Sequence, residues 1–182
     1  IAATLLKKNA EFGRPNLPFA LIIAPTRELA LQVRKELEWV YARTKAQFAS
    51  CVGGMDPRAE RRILESGAHI VVGTPGRLRD HIERGALSLS DIKAVVLDEA
   101  DEMLDMGFRE DLTFILEKAP VNRRTLLFSA TVPIQIAKMA RTYQKEAIRI
   151  SVSSKKTQHL EINYHAIKIQ PSDRDKAIIN LL

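Results

Sequence analysis

Cysteine is almost missing from this chain of 182 residues; Cys51 is the single one. A lone cysteine closes no internal disulfide, so nothing points to an oxidising compartment, and a cytoplasmic location is expected. Cys51 lies in a short apolar run and reads as a buried strand residue rather than a nucleophile. Aromatic residues are scarce at 5%, which argues against a surface that grips nucleic-acid bases by stacking. No apolar run approaches the ~18 residues of a membrane-spanning helix. No cleavage pattern follows the short apolar stretch 1–8, so no signal peptide is read. The histidines His69, His81, His159 and His165 show no metal-ligand spacing, and no zinc site is expected. The phosphate-cradling pattern G-x-x-x-x-G-K-[ST] occurs nowhere. The first residue is not methionine, as expected of a fragment or a processed product.

What remains is an ordinary α/β composition. Hydrophobic residues make up 46%, enough for a core. The net charge of +6 arises from 28 basic and 22 acidic residues spread along the chain. A solvated basic surface accounts for it, with nucleic-acid binding only mildly favoured.

Short apolar runs at 19–24, 49–52, 69–73, 94–97 and 125–128 suit parallel strands buried on both faces. Helical segments are expected between them at 28–44, 57–66, 76–84, 108–118 and 133–143. In the first of these, Leu29, Val33, Leu37 and Val40 recur at helical spacing and give one buried face. Alternating strands and helices imply βαβ units, a parallel sheet and helices on both faces. Right-handed crossovers then bring every strand's carboxyl end to one edge. Beyond residue 150 the character changes. Residues 151–159 read as a linker. Alternation at Leu160, Ile162 and Tyr164 predicts a strand, Pro171-Ser172-Asp173 a turn, and residues from 176 a helix. The expected domains are therefore 1–150 and, after the linker, the beginning of a second at 160–182.

Ligands of open parallel sheets sit outside the carboxyl ends of the strands. The fourth run leads straight into Asp98-Glu99-Ala100-Asp101. Crowded acids need a compensating cation or basic partner. They could hold Mg²⁺ and position a water, or simply cap the next helix. The fifth run leads into Ser129-Ala130-Thr131, whose hydroxyls could bond those carboxylates or cap a helix, with Pro133 at its first position. The first run leads into Pro25-Thr26-Arg27-Glu28. There a capping threonine, free N–H groups and an arginine fork could take a phosphate. The third, through Gly73, repeats the device with Thr74-Pro75-Gly76-Arg77. The second ends at Gly53-Gly54, where a ligand backbone could approach closely. Singly each is ordinary turn chemistry. Together they point to a track for a sugar–phosphate chain, read by shape and charge.

These segments, PTRELA at 25–30, Gly53-Gly54, TPGR at 74–77, DEAD at 98–101 and SAT at 129–131, stand in the order found in DEAD-box RNA helicases. The chain resembles the first domain of that family, bacterial type. The resemblance implies a RecA-like α/β fold of the P-loop NTPase type. It implies that Asp98 helps hold Mg²⁺, through water, together with ATP, and that Glu99 activates the hydrolytic water. Asp101, Ser129 and Thr131 would couple the nucleotide to the RNA and to a second RecA-like domain of the same parent chain. Pro25, Thr26, Arg27, Glu28, Gly53, Gly54, Thr74, Pro75, Gly76 and Arg77 would contact the RNA backbone. The resemblance departs at the missing phosphate loop, so this stretch by itself is expected to lack turnover. Arg27 and Arg77 are expected to contribute similarly, with little dependence on RNA sequence. Two other readings compete: a non-catalytic RNA-binding or partner-binding module, and a metal-dependent hydrolase built on Asp98, Glu99 and Asp101.

Overall fold

A computed structural model describes residues 2–5, 11–151 and 168–181. All five apolar runs become strands: β1 Ala20–Ile23, β2 Phe48–Cys51, β3 Ile70–Gly73, β4 Ala94–Leu97 and β5 Arg124–Leu127. They form one sheet in the order β2-β3-β1-β4-β5, every pair parallel. The helices are α1 Ala2–Leu5, α2 Arg27–Val40, α3 Pro57–Ser66, α4 Pro75–Glu83, α5 Ala100–Asp105, α6 Arg109–Lys118 and α7 Ile134–Tyr143.

The strand order explains where the helices lie. Only the connection from β1 to β2 runs toward the β2 edge; the next three run back the other way. Right-handed crossovers must therefore put α2 on one face and α3, α4 and α6 on the opposite one. The buried side chains follow this division. On the α2 face Ala20, Ile22, Ile70, Val72, Ala94 and Val96 pack with Ala30 and Tyr41. On the other face Leu21, Ile23, Val71, Val95 and Leu97 meet Leu78 of α4 and Leu112, Ile115 and Leu116 of α6. The period-2 alternation of each strand thus feeds two cores, which is why the runs read as continuously apolar.

Two elements differ from expectation. The first long helix stops at Val40, and residues 41–45 continue as turns. There Tyr41 turns inward against Phe12 and Phe48, and the Thr44 hydroxyl donates to the Tyr41 carbonyl at 2.7 Å. Helix α5 was not foreseen. It has six residues and buries only Ala100 and Met103, too short a pattern to show a helical period.

The chain divides into two compact units, Ile1–Ala147 and Ile148–Leu182. In the second, a 3-10 turn at Pro171–Asp173 leads into α8, Arg174–Leu181. Most of the linker and the strand expected around 160–169 lie outside the described residues. No helix among the described residues is long and apolar enough to cross a membrane.

At the end of β3, the Thr74 N–H donates to the Cys51 carbonyl at 3.0 Å. A Cβ on Gly73 would collide with that carbonyl oxygen and with the Leu78 side chain. The two strands approach this closely because residue 73 has no side chain. Gly76, the second residue of α4, has open space around it. Gly73→Ala should therefore destabilise the fold by about 1–3 kcal/mol. Gly76→Ala should be neutral or stabilising by up to ~1 kcal/mol. Urea-unfolding midpoints of the two variants check this contrast; equal midpoints would remove the close-approach argument.

Candidate functional site

The register fixes the site. Cys51 pairs with Gly73, Gly73 with Ile23, Ile23 with Leu97, and Leu97 with Leu127. The last residues of all five strands therefore lie in one row. The loops that leave this row carry, in spatial order, Gly53-Gly54, Thr74-Pro75-Gly76-Arg77, Pro25-Thr26-Arg27-Glu28, Asp98-Glu99-Ala100-Asp101 and Ser129-Ala130-Thr131. Thr26, Thr74, Asp98 and Thr131 share a single rim. The phosphate-seeking loops occupy the β2-β3-β1 half and the acids the β4-β5 half. The chain leaves β1 toward the β2 edge and leaves β4 toward β5, so the two halves meet between β1 and β4, where the outgoing connections part and an open sheet binds its ligands.

On the acidic half, β4 is anchored to its neighbour through the Asp98 N–H, which donates to the Ile23 carbonyl at 2.9 Å. The half-buried Asp98 carboxylate makes no hydrogen bond or ion pair to another side chain among the described residues. Glu99 is exposed and left-handed, with φ 49°. A non-glycine residue there costs on the order of 1–3 kcal/mol, a strain typical of functional sites. The sharp turn it makes lets α5 begin at once, and the Ala100 N–H donates to the Phe128 carbonyl at 3.0 Å.

Asp101 points across to the neighbouring loop. One carboxylate oxygen accepts from both the Thr131 N–H, at 2.8 Å, and the Thr131 hydroxyl, at 2.7 Å. The Ser129 hydroxyl donates to the Thr131 carbonyl. Neither hydroxyl caps a helix: α7 starts at Ile134 behind Pro133 with no side-chain cap. Burial would raise the Asp101 carboxyl, but the hydrogen bonds from the Thr131 hydroxyl and N–H outweigh it and hold it at about 2.

On the other half, the Thr26 hydroxyl accepts from the Leu29 N–H at 3.2 Å and caps α2. The N–H groups of Arg27 and Glu28 are left to face the rim. Arg27 and Glu28 are both exposed, joined by a surface contact of 3.3 Å. Gly54 has φ +79°, and a Cβ there would come within 2.8 Å of the Arg27 guanidinium, so these two loops touch. Thr74 occupies the cap position of α4, but its hydroxyl makes no cap hydrogen bond. Pro25 and Pro75 are buried beneath their loops and can only shape the turns, whereas Gly53 and Gly76 are exposed. Arg77 is turned inward: its side chain is 15% exposed, against 47% for Arg27.

The family model for DEAD/DEAH box helicases matches residues 2–140. The chain belongs to this family. It is 41% identical over its full length to the DEAD-box ATP-dependent RNA helicase CshA of Streptococcus pneumoniae serotype 4, covering 36% of that protein. It is 42% identical to the CshA of Geobacillus kaustophilus, again over its full length and covering 41%. The chain thus spans well under half the length of these curated relatives. Among solved structures it resembles a DEAD box protein from Methanococcus jannaschii, with TM-score 0.69 and 45% identity over 72% of this chain and 36% of that one. The yeast DEAD-box splicing factor Prp28 matches with TM-score 0.66 and 38% identity over 70% of this chain and 31% of that one. The five-stranded parallel sheet is the RecA-like domain of DEAD-box proteins.

Around Arg77 the fold also gathers residues that no motif named: Glu60 of α3 is buried beside it, with Cys51 and His81. A signal was available. Glu60 stands one turn before Leu64 on the inward face of α3, while Arg77 and His81 are four apart on α4 and so share a face.

The Asp101 carboxyl is held low in the folded state. Its contribution to stability is therefore complete above the ordinary value of 3.8 and is lost as pH falls through about 2. Thr131→Val removes the hydroxyl donor. It should move the NMR titration midpoint of Asp101 up toward the ordinary carboxylate range with the fold retained. An unmoved midpoint would show that the hydroxyl does not hold the carboxylate.

Proposed function

We propose that the protein carrying this chain is an ATP-dependent RNA helicase, and that this chain supplies the acidic catalytic edge and one side of the RNA track. The observation that carries this reading is the single rim, phosphate-seeking at β2, β3 and β1 and acidic at β4, with Asp101 bonded across to Thr131 of the β5 loop.

The donor set fits ATP with Mg²⁺. Mg²⁺ prefers hard oxygen ligands, keeps several waters, and is usually held by one or two carboxylates together with substrate phosphates. Asp98 has a carboxylate uncommitted to other side chains, whereas that of Asp101 is engaged by Thr131. Among the described residues the three acids do not converge into a protein-only metal cage. That arrangement favours the phosphate-dependent reading over a metal hydrolase working without nucleotide. ATP would supply the phosphoanhydride whose cleavage drives the cycle. Asp98 would hold the metal through water, and Glu99 would orient the attacking water and take its proton. Asp101 would sense the strand end of β5 through Thr131 and Ser129. Movement of that loop would therefore reach the acids directly. RNA would lie along Gly53-Gly54, Thr74, Gly76 and the first turn of α2, held by N–H groups and by Arg27. Contacts of this kind select a backbone and leave base identity unread.

Because the 182 residues contain no glycine-rich phosphate loop, the chain alone should hydrolyse ATP negligibly. In the full-length protein, Glu99→Gln should lower RNA-stimulated ATP turnover by roughly 10²–10⁴-fold while RNA binding is retained. Phosphate-release kinetics beside an RNA-binding isotherm checks both halves; wild-type turnover in the variant would refute the assignment. Arg27→Ala should weaken RNA binding equally across unrelated sequences and reduce the salt slope by about 0.7. Fluorescence anisotropy at several salt concentrations measures both, and a loss confined to particular sequences would contradict a backbone track.

A further inference from the structure

The largest buried charge cluster in the described chain lies directly under the Gly53-Gly54 loop. The Glu60 carboxylate is almost fully buried and uses both oxygens. One accepts from the Val52 N–H at 2.8 Å. The other accepts from His81 Nε2 at 2.7 Å and from an Arg77 Nη at 3.1 Å. The His81 nitrogen must carry a proton in that contact, because a carboxylate only accepts. Both terminal nitrogens of Arg77 also donate to the Met55 carbonyl, each at 3.3 Å. The loop between β2 and α3 is thus held at its start through Val52 and at its far side through Met55, and the Glu60–Arg77 pair closes the ring. Asp56 then caps α3, accepting from the Arg58 N–H at 2.9 Å, with Pro57 at the first helical position.

Cys51, Glu60 and His81 offer ligand atoms within 4.8 Å of one another, but the chemistry is not that of a metal centre. Both Glu60 oxygens are occupied, and the guanidinium already provides the positive charge a cation would bring. The Cys51 thiol is pushed up by burial and then by the Glu60 carboxylate, away from the thiolate a metal requires.

We propose that Glu60, Arg77 and His81 form a strut that sets the shape of the Gly53-Gly54 loop. Arg77 is then a positioning residue, and Arg27 is the arginine that meets the sugar–phosphate backbone. The inference rests on the RNA reading for the role of the loop, and on the ion-pair geometry alone for the strut. Arg77 has its charge matched by Glu60 and its fork filled by Glu60 and Met55, so it contributes shape rather than a free charge. Arg27 lies over Gly54 and pairs only at the surface with Glu28, a contact of little energy.

The test uses the full-length protein, single-stranded oligouridylate as the probe, and a non-hydrolysable ATP analogue with Mg²⁺. Arg27→Ala should reduce the slope of log affinity against log salt by about 0.7, the value for one lost phosphate contact on a single strand. Arg77→Lys keeps the charge but not the fork, and should weaken binding roughly tenfold with the slope unchanged. Glu60→Gln keeps an oxygen for Val52 but turns an amide NH2 toward the guanidinium, and should give a similar loss although no positive charge is removed. Hydrogen exchange without RNA provides the second measurement. Both variants should speed exchange of the 52–56 amides by roughly tenfold and leave β4 amides as they were. Wild-type affinity in Arg77→Lys, or tighter binding in Glu60→Gln as the guanidinium is freed, would overturn the proposal. Unchanged exchange in both variants would overturn the strut whatever RNA does. Faster exchange in a protein whose unsubstituted form binds no RNA would support the strut and refute the RNA reading instead.

Discussion

Everything functional here depends on parallel pairing. A parallel strand must be reached by a crossover that returns the chain to the same starting edge. Five such strands therefore release five loops onto one rim. Antiparallel pairing would have sent alternate loops to opposite edges and separated the acids of β4 from the hydroxyls of β5. The row from Cys51 through Gly73, Ile23 and Leu97 to Leu127 is hydrogen-bonded from strand to strand. Interstrand spacing near 4.8 Å then sets the distance between neighbouring loops. The chemistry is dictated by which strand lies next to which, and only secondarily by the loops themselves.

Two carboxylates tie neighbouring strand ends together on this rim, and they do so in different physical regimes. Asp101 accepts two bonds from Thr131 at a half-exposed position. Hydrogen bonds to a charged group contribute about 1.5–3 kcal/mol, and here water can replace them when the loop moves. Glu60 lies in the interior with three donors around it. Removing a partner there leaves a buried charge uncompensated, which costs about 3–5 kcal/mol. The exposed tie joins β4 to β5 and suits a contact that must break and re-form in a cycle. The buried tie joins β2 to α3 and α4 and suits a part that must keep its shape. A nucleotide-driven machine that grips a polymer needs both, one at the acids and the other under the polymer.

The fold was readable because its dominant signal is redundant. Each strand is a short, nearly continuous apolar run, and no expected end differs from the observed one by more than one residue, within the usual uncertainty of element ends. Capping chemistry was half readable. Thr26 accepts from the first turn of α2 as its type suggests, yet Thr74, also between a buried strand and a helix, makes no such bond. Helix α5 was hidden because six residues give too little pattern, and because its first turn is the acidic motif itself. The left-handed Glu99 was equally hidden, since glutamate has no special preference for that conformation.

The two arginines mark the limit of reading a site from a chain. Arg27 and Arg77 follow a threonine cap in the first turn of a helix at the end of a buried strand, and local sequence gives them the same role. Burial separates them. Arg27 projects beside Gly54, whose missing Cβ makes room for its guanidinium. Arg77 meets a carboxylate seventeen positions upstream, and a histidine one turn onward competes for the same oxygen. That distant partner decides whether an arginine offers its charge to a ligand or spends it on the fold. Motif letters record the residue and not its counter-charge. An apolar helix face interrupted by a glutamate, opposite a helix with basic groups four apart, is the pattern that reveals such a pairing.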